Sequence, residues 1–261
     1  MRTVTRKRFG QHFLHDPGVR QRIVDAVDAR PGDRIVEIGP GPGAITERLV
    51  AAAGRIDAIE IDRDLAAALA ARFGPAIDLH VGDALAFDFA ALAGQRGGPL
   101  RIVGNLPYNI STPLLFHLLD SVDHLVDLHV MLQKEVVDRM AAVPGSEAYG
   151  RLTVMLAPRL EITRLFDVGP GAFQPPPRVW SAVARLTVLP EPRFPVPASF
   201  ALVVAAAFSQ RRKTLRNSLR GLVPDAAFAA CGVDPGARPE TLPPQAFAAL
   251  AACTPPGAML P

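Results

Sequence analysis

Short apolar runs and amphipathic stretches alternate along the first half of the chain. Arg30 to Asp33 has turn chemistry, and the run from Arg34 to Ile38 that follows predicts a strand ending in glycines. From Ala44 to Ala53 the spacing predicts a helix with Ile45 and Leu49 on one face. Arg55 to Ile61 predicts a second strand, and Asp62 then suits the N-cap of a helix over Asp64 to Arg72. Further strands are predicted at Asp78–Val81, Leu100–Val103 and Leu125–Met131, with helices at Leu114–Leu119 and Lys134–Ala142.

Strands that alternate with helices predict an α/β fold with a mostly parallel, doubly wound sheet. Such sheets bind ligands at the carboxyl ends of their strands. Four predicted strand ends carry unusual residues: Gly39, Glu60, Asp83 and Asn105.

Near residue 190 the texture changes. Pro190, Pro192, Pro195 and Pro197 read as a stiff linker, dividing the chain into domains 1–190 and 191–261. Beyond it, Ser199 to Leu222 reads as helical.

Composition narrows the class. A content of 49% hydrophobic and 20% charged residues supports packed cores. The 28 basic and 25 acidic residues nearly balance, so overall charge does not argue for nucleic acid. Cys231 and Cys253 have neither metal-ligand spacing nor a disulfide framework, and no metal site is expected. The apolar run Phe200 to Phe208 is too short to span a bilayer, and a soluble cytoplasmic protein is expected.

Gly39-Pro-Gly41-Pro-Gly43 allows a tight turn and close backbone approach to a ligand. Glu60 follows Gly39 by 21 residues, where an acid on the next strand binds ribose hydroxyls. These features also fit a nicotinamide-dependent oxidoreductase. Asp83 adds an acceptor for an adenine amino group, although it equally suits a helix N-cap.

Gly104-Asn-Leu-Pro-Tyr-Asn109 is the most specific stretch. It matches the motif of enzymes that methylate planar amino nitrogens, whose lone pair is delocalised into an aromatic ring. Acceptors on Asn105 and Leu106 would favour a pyramidal nitrogen. Pro107 stiffens the turn, and Tyr108 offers a face for the base. An oxidoreductase leaves this segment unexplained.

With those blocks in view, the chain resembles the bacterial ribosomal RNA small-subunit adenine dimethyltransferases. The resemblance spans nearly all of residues 6 to 220 and rests on the blocks from Arg8 to Leu14, Val36 to Gly41, Glu60 to Asp64, Gly82 to Leu85 and Gly104 to Pro113. It continues through Met131–Val136, Tyr149–Leu152 and Phe173–Pro177. It implies a Rossmann-like class I methyltransferase domain with a small helical C-terminal domain. It also implies S-adenosylmethionine as cofactor, and dimethylation at N6 of two adjacent adenosines in the 3′-terminal hairpin loop of 16S rRNA. The implied substrate is a 30S precursor particle, met by a monomeric enzyme.

Carried over by position, the cofactor contacts are His12, Leu14, Gly39, Glu60, Asp83 and Asn105. The family usually has Asn where this chain has His12. Phe173 resembles the aromatic that sandwiches the target base opposite Tyr108, and on its own residues it also suits simple packing.

Arg211, Arg212, Lys213, Arg216 and Arg220 form an acid-free run. On a helix Arg212, Arg216 and Arg220 share one face, while Leu215, Leu219 and Leu222 pack on another. RNA phosphate would relieve the repulsion along that face, whereas a solvated face is the plainer alternative. Arg6, Lys7 and Arg8 are a second basic group. Two rivals share much of this pattern: the related enzymes that dimethylate a large-subunit rRNA adenine, and a non-catalytic ribosome assembly factor. Leu106 and the Asn-Ile-Ser-Thr-Pro continuation favour the small-subunit group.

Overall fold

A computed structural model describes residues 12–210 and 212–255. Arg6, Lys7, Arg8 and Arg211 lie outside the described residues, as does the start of the Arg8–Leu14 block. The chain divides into two compact units, one of residues 1–137 and 162–188, the other of 138–161 and 189–261. The division near residue 190 coincides with the proline-rich stretch, while segment 138–161 belongs with the C-terminal unit rather than with the residues on either side of it.

Among the described residues the first unit is built on nine strands: β1 (Phe13–Leu14), β2 (Ile35–Ile38), β3 (Ile56–Glu60), β4 (Ile77–Val81), β5 (Leu100–Asn105), β6 (Leu125–Gln133), β7 (Leu160–Val168), β8 (Phe173–Gln174) and β9 (Ser181–Val188). Seven form one sheet in the order β4-β3-β2-β5-β6-β9-β7. Strands β4 to β6 in that order are parallel neighbours, and β9 runs antiparallel to β6. The first strand, β2, thus sits between β3 on one side and β5 on the other. Chain direction reverses there, and a crevice opens at the carboxyl ends.

Helices α1 (Pro17–Val27), α2 (Thr46–Ala53), α3 (Arg63–Phe73), α4 (Phe89–Arg96), α5 (Ser111–Asp120) and α6 (Lys134–Met140) supply the crossovers. Their starts obey local chemistry. Asp16, Asp62 and Asp88 each accept a backbone N–H of the following turn through their carboxylate. Ile35, Leu49, Ile56, Leu69 and Val103 pack into one core cluster of this unit.

The second unit is helical, with α7 (Arg151–Leu156), α8 (Phe200–Ala207), α9 (Leu215–Ser218), α10 (Asp225–Ala230) and α11 (Pro244–Ala252). Phe200, Val203, Phe228, Phe247 and Leu250 form its core. The expected continuous helix over Ser199–Leu222 is not present. Helix α8 stops at Ala207, and only four residues from Leu215 are helical again. The reason lies in the backbone donors. Leu215 N–H donates to the Ala237 carbonyl and Arg216 N–H to that of Pro235, so neither bonds to a carbonyl one turn earlier. No described helix is long and apolar enough to cross a membrane.

Candidate active site

The carboxyl ends of β2 to β5 converge on one pocket with about 750 Å3 of empty space, part of it open to solvent. Gly39, Glu60, Asp83, Asn105, Leu106, Pro107, Tyr108 and His12 all line it. Sequence order alone scatters these residues over nearly a hundred positions; the strand order gathers them. Short backbone bonds tie the strand ends together, with Gly39 N–H donating to the Ile59 carbonyl and Gly82 N–H to that of Glu60.

The glycine turn is shaped for close approach. Gly41 adopts φ +58°, and a methyl group there would sit 3.2 Å from the Phe13 ring. Gly104, immediately before Asn105, passes so near β2 that a Cβ would fall 2.6 Å from the Ile38 carbonyl oxygen. Any side chain at that position would push the two strands apart beneath Asn105.

Glu60 is buried at the pocket wall. Its Oε2 accepts from Gly41 N–H at 3.1 Å and its Oε1 from Asp62 N–H at 2.9 Å. Burial nonetheless raises its pKa. Each carboxylate oxygen retains a second lone pair, so the group can still accept hydroxyl hydrogens. Asp83 meets the N-cap expectation, capping the single turn Ala84–Ala86 through Leu85 N–H at 2.9 Å, and it also lines the pocket.

Asn105 closes β5. Its amide Nδ2 donates to the His12 carbonyl at 3.1 Å, which leaves Oδ1 as the atom available to a substrate hydrogen. Leu106 N–H donates to the Met131 carbonyl, Ile110 N–H to that of Pro107, and Ser111 Oγ to that of Tyr108. The segment is therefore a fixed turn feeding α5. Tyr108 Oη lies 2.6 Å from Ser181 Oγ at the start of β9, and burial raises the phenol pKa.

His12 carries a donor role that the sequence did not disclose. Its Nδ1 donates to the Pro175 carbonyl at 2.8 Å. The imidazole stacks against Tyr108 at 5.7 Å between centroids. Leu14 lies deeper, lining a second cavity beneath the glycine turn together with Glu37. Phe173 is not among the residues lining the main pocket. It is 1% exposed, packed in the core and paired with Leu14 through the β1–β8 ribbon, so in this conformation it presents no face to a base opposite Tyr108. The ring beside Tyr108 is that of His12.

Glu37, which carried no expected role, is 1% exposed with Oε2 lacking a hydrogen-bond partner. Burial pushes its carboxyl up to about 8. Ser181 also went unanticipated, since nothing in the pattern links it to a tyrosine 73 residues earlier.

The pocket fits an adenosine-bearing methyl donor. It sets two acids, Glu60 and Asp83, at successive strand ends beside a glycine turn in which a Cβ at Gly41 would crowd the Phe13 ring. Among the described residues no cluster of His, Cys, Asp or Glu could hold a metal ion.

In the C-terminal unit, Arg212, Lys213, Arg216 and Arg220 are exposed and Leu215, Leu219 and Leu222 are buried. The expected inward and outward partition holds although the single arginine face does not, because the cations are spread over two turns and a four-residue helix. Arg216 Nε also lies 3.5 Å from Asp225 Oδ1, so the acid-free run acquires an acid in space.

Comparison with known proteins agrees with this geometry. The sequence profile of the ribosomal RNA adenine dimethylases matches residues 2–253. The ribosomal RNA small subunit methyltransferase A of Laribacter hongkongensis is 57% identical over 246 residues, covering 92% of each chain. That of Pseudomonas aeruginosa is 54% identical, covering 94% of this chain and 93% of its own. Among solved structures, the 23S rRNA methyltransferase ErmE superposes with a TM-score of 0.71 at 27% identity, over 93% of this chain and 99% of its own. A dimethyladenosine transferase from Plasmodium falciparum reaches 0.73 at 24% identity, over 92% and 96%, and shows the shared fold.

Proposed function

Since the chain belongs to the ribosomal RNA adenine dimethylase family, we infer that it dimethylates N6 of two adjacent adenosines in the 3′-terminal hairpin loop of small-subunit rRNA. The observation that supports this is the Asn105 amide, held by its nitrogen to the His12 carbonyl, which leaves its oxygen to accept a substrate hydrogen at the end of β5.

S-adenosylmethionine, when bound, supplies an electrophilic methyl group whose sulfonium leaving group needs no protonation. Glu60 would accept the ribose hydroxyls, Asp83 the adenine amino group, and the turn at Gly39 and Gly41 would lie against the remainder. Asn105 Oδ1 and the Leu106 carbonyl would accept hydrogens of the target amine. That draws the nitrogen toward a pyramidal form with an available lone pair. Tyr108 would stack on the base, its hydroxyl anchored to Ser181. Each transfer releases one proton from the amine, and rate comes from in-line placement and exclusion of water.

Arg212, Lys213, Arg216 and Arg220, all exposed, would meet the rRNA phosphates, with Arg211 beside them in sequence. The proposed substrate is a 30S precursor, the enzyme a cytoplasmic monomer. Identity of 57% to a small-subunit enzyme against 27% to a 23S enzyme separates this reading from its large-subunit rival.

The test is transfer of radiolabelled methyl from S-adenosylmethionine to small subunits lacking the modification, followed by nucleoside analysis. Label in N6,N6-dimethyladenosine of the 3′ hairpin is expected. Label confined to large-subunit RNA would reject the substrate assignment.

A further inference from the structure

We propose that Trp180 is a stacking platform for a nucleobase flanking the target adenosine, a second base subsite on the rim of the active site. The inference rests on the rRNA methylation reading above and specifies where the neighbouring nucleotide goes.

Among the large hydrophobic side chains that the described residues leave exposed, Trp180 is the only aromatic, at 55% exposure. An exposed indole on a fixed backbone is a preformed flat face, available for stacking at little ordering cost. Here it is fixed. The Trp180 carbonyl accepts from Lys134 N–H at 2.9 Å, and the next residue, Ser181, begins β9 in register with Gln133. A methyl group at Gly169 would lie 3.6 Å from Cη2 and Cζ3 of the indole, so one part of the ring rests against that backbone while the rest faces solvent.

Position then selects the occupant. Ser181 holds the Tyr108 hydroxyl at 2.6 Å, so the residue that anchors the proposed stacking tyrosine is the one that follows Trp180 in the chain. An RNA strand that delivers one base to Tyr108 must carry its flanking nucleotides over the pocket rim. Indole offers a wide face to any of the four bases, and such stacking is worth roughly five- to 150-fold in affinity. Arg178, exposed two residues earlier, supplies a cation for the phosphate between the bases. A protein partner would be served equally by an aliphatic patch; an aromatic next to a cation, beside a base-binding pocket, fits a nucleotide better.

Trp180 touches neither donor nor acceptor nitrogen in this arrangement, so its loss should weaken substrate capture and spare the chemical step. With unmodified small subunits, Trp180→Ala should raise KM about tenfold with kcat nearly unchanged, and Trp180→Phe should restore most of the loss. A wild-type KM in Trp180→Ala overturns the proposal, as does a loss that Phe fails to restore. Binding offers an independent readout because the chain has a single tryptophan. Its emission should fall when a short oligoribonucleotide spanning the two adenosines is added, and should not respond to polyphosphate of equal charge. No quenching by the RNA, or equal quenching by both, overturns the stacking assignment. Failure of the wild-type protein to methylate small subunits would instead overturn the substrate reading, before any variant is compared.

Discussion

The two ends of the central sheet solve opposite problems. At the second or third position of their strands, near the amino ends, Asp57, Asp78, Arg101 and Asp127 are locked in ion pairs. Arg96 bonds to Asp57 at 2.6 Å and to Asp78 at 2.6 Å, and Arg101 bonds to Asp33 at 2.6 Å and to Asp127 at 2.9 Å. At the carboxyl ends the polar groups keep spare capacity: Glu60 has free lone pairs, Asn105 a free amide oxygen, and Glu37 Oε2 has no partner. Paired charge stabilises, while unspent hydrogen-bonding capacity is what a ligand can use. One sheet thus separates stability from chemistry by direction along its strands.

The sharpest way to break that contrast is to remove the spare acceptor. Asn105→Ala should lower single-turnover methyl transfer about a hundredfold or more while small-subunit binding stays near wild type. Unchanged turnover would show that the amide is only a strand-end tether to His12.

Glu37 tests whether the carboxyl end carries a stability cost. Its folded pKa is raised from 4.5 to about 8, so between those values the folded state holds a proton that the unfolded state has lost. Stability from this group is therefore fully present below pH 4.5 and is lost as pH rises to about 8, by at most roughly 1.4 kcal/mol per unit. In Glu37→Gln that downward slope should flatten. Denaturant unfolding of ligand-free protein at pH 5, 6.5 and 8 measures it, and parallel curves would mean that the carboxyl finds a partner in the folded chain.

At the opposite end, Asp57→Ala should reverse the pattern. Asp57 is nearly buried and accepts from Arg96 through both oxygens, so its removal strands part of a guanidinium. A loss of about 2 kcal/mol is expected, discounted because Arg96 is a third exposed. That corresponds to a melting temperature lower by about 4–8 °C, with methyl transfer at 25 °C unaffected. A large fall in transfer rate would show that the two ends are coupled.

Legibility in the sequence divides along a different line. The strand-helix alternation, the Asp62 cap and the four unusual strand ends that line one pocket were readable because each depends on residues within a few positions. The pairing of Leu14 with Phe173, the His12–Pro175 bond and the Ser181 anchor join segments 73 to 163 residues apart, and no local period encodes them. Phe173 illustrates the cost: the resemblance put its ring opposite Tyr108, its own residues suited packing as well, and the β1–β8 ribbon buries it. The basic segment failed for a related reason. Its spacing is helical, yet the carbonyls of Pro235 and Ala237 capture donors that a continuous helix would need. Burial of Leu215, Leu219 and Leu222 survived because it depends on apolarity more than on which turns connect them.

The smallest expected effect lies in the Tyr108 hydroxyl. Tyr108→Phe keeps the stacking face and removes one hydrogen bond to Ser181, a net contribution of about 1 kcal/mol, so turnover should fall roughly fivefold. Tyr108→Ala also removes the ring and should fall much further. Equal losses in the two variants would assign the role to the hydroxyl, and hence to the Ser181 anchor rather than to stacking. The distinction bears on the comparison of sheet ends, because Ser181 is fully buried and stands where β9 meets the carboxyl edge of β6. If the hydroxyl dominates, part of the carboxyl end is spent on rigidity, and the spare capacity that serves chemistry narrows to Asn105, Glu60 and Asp83.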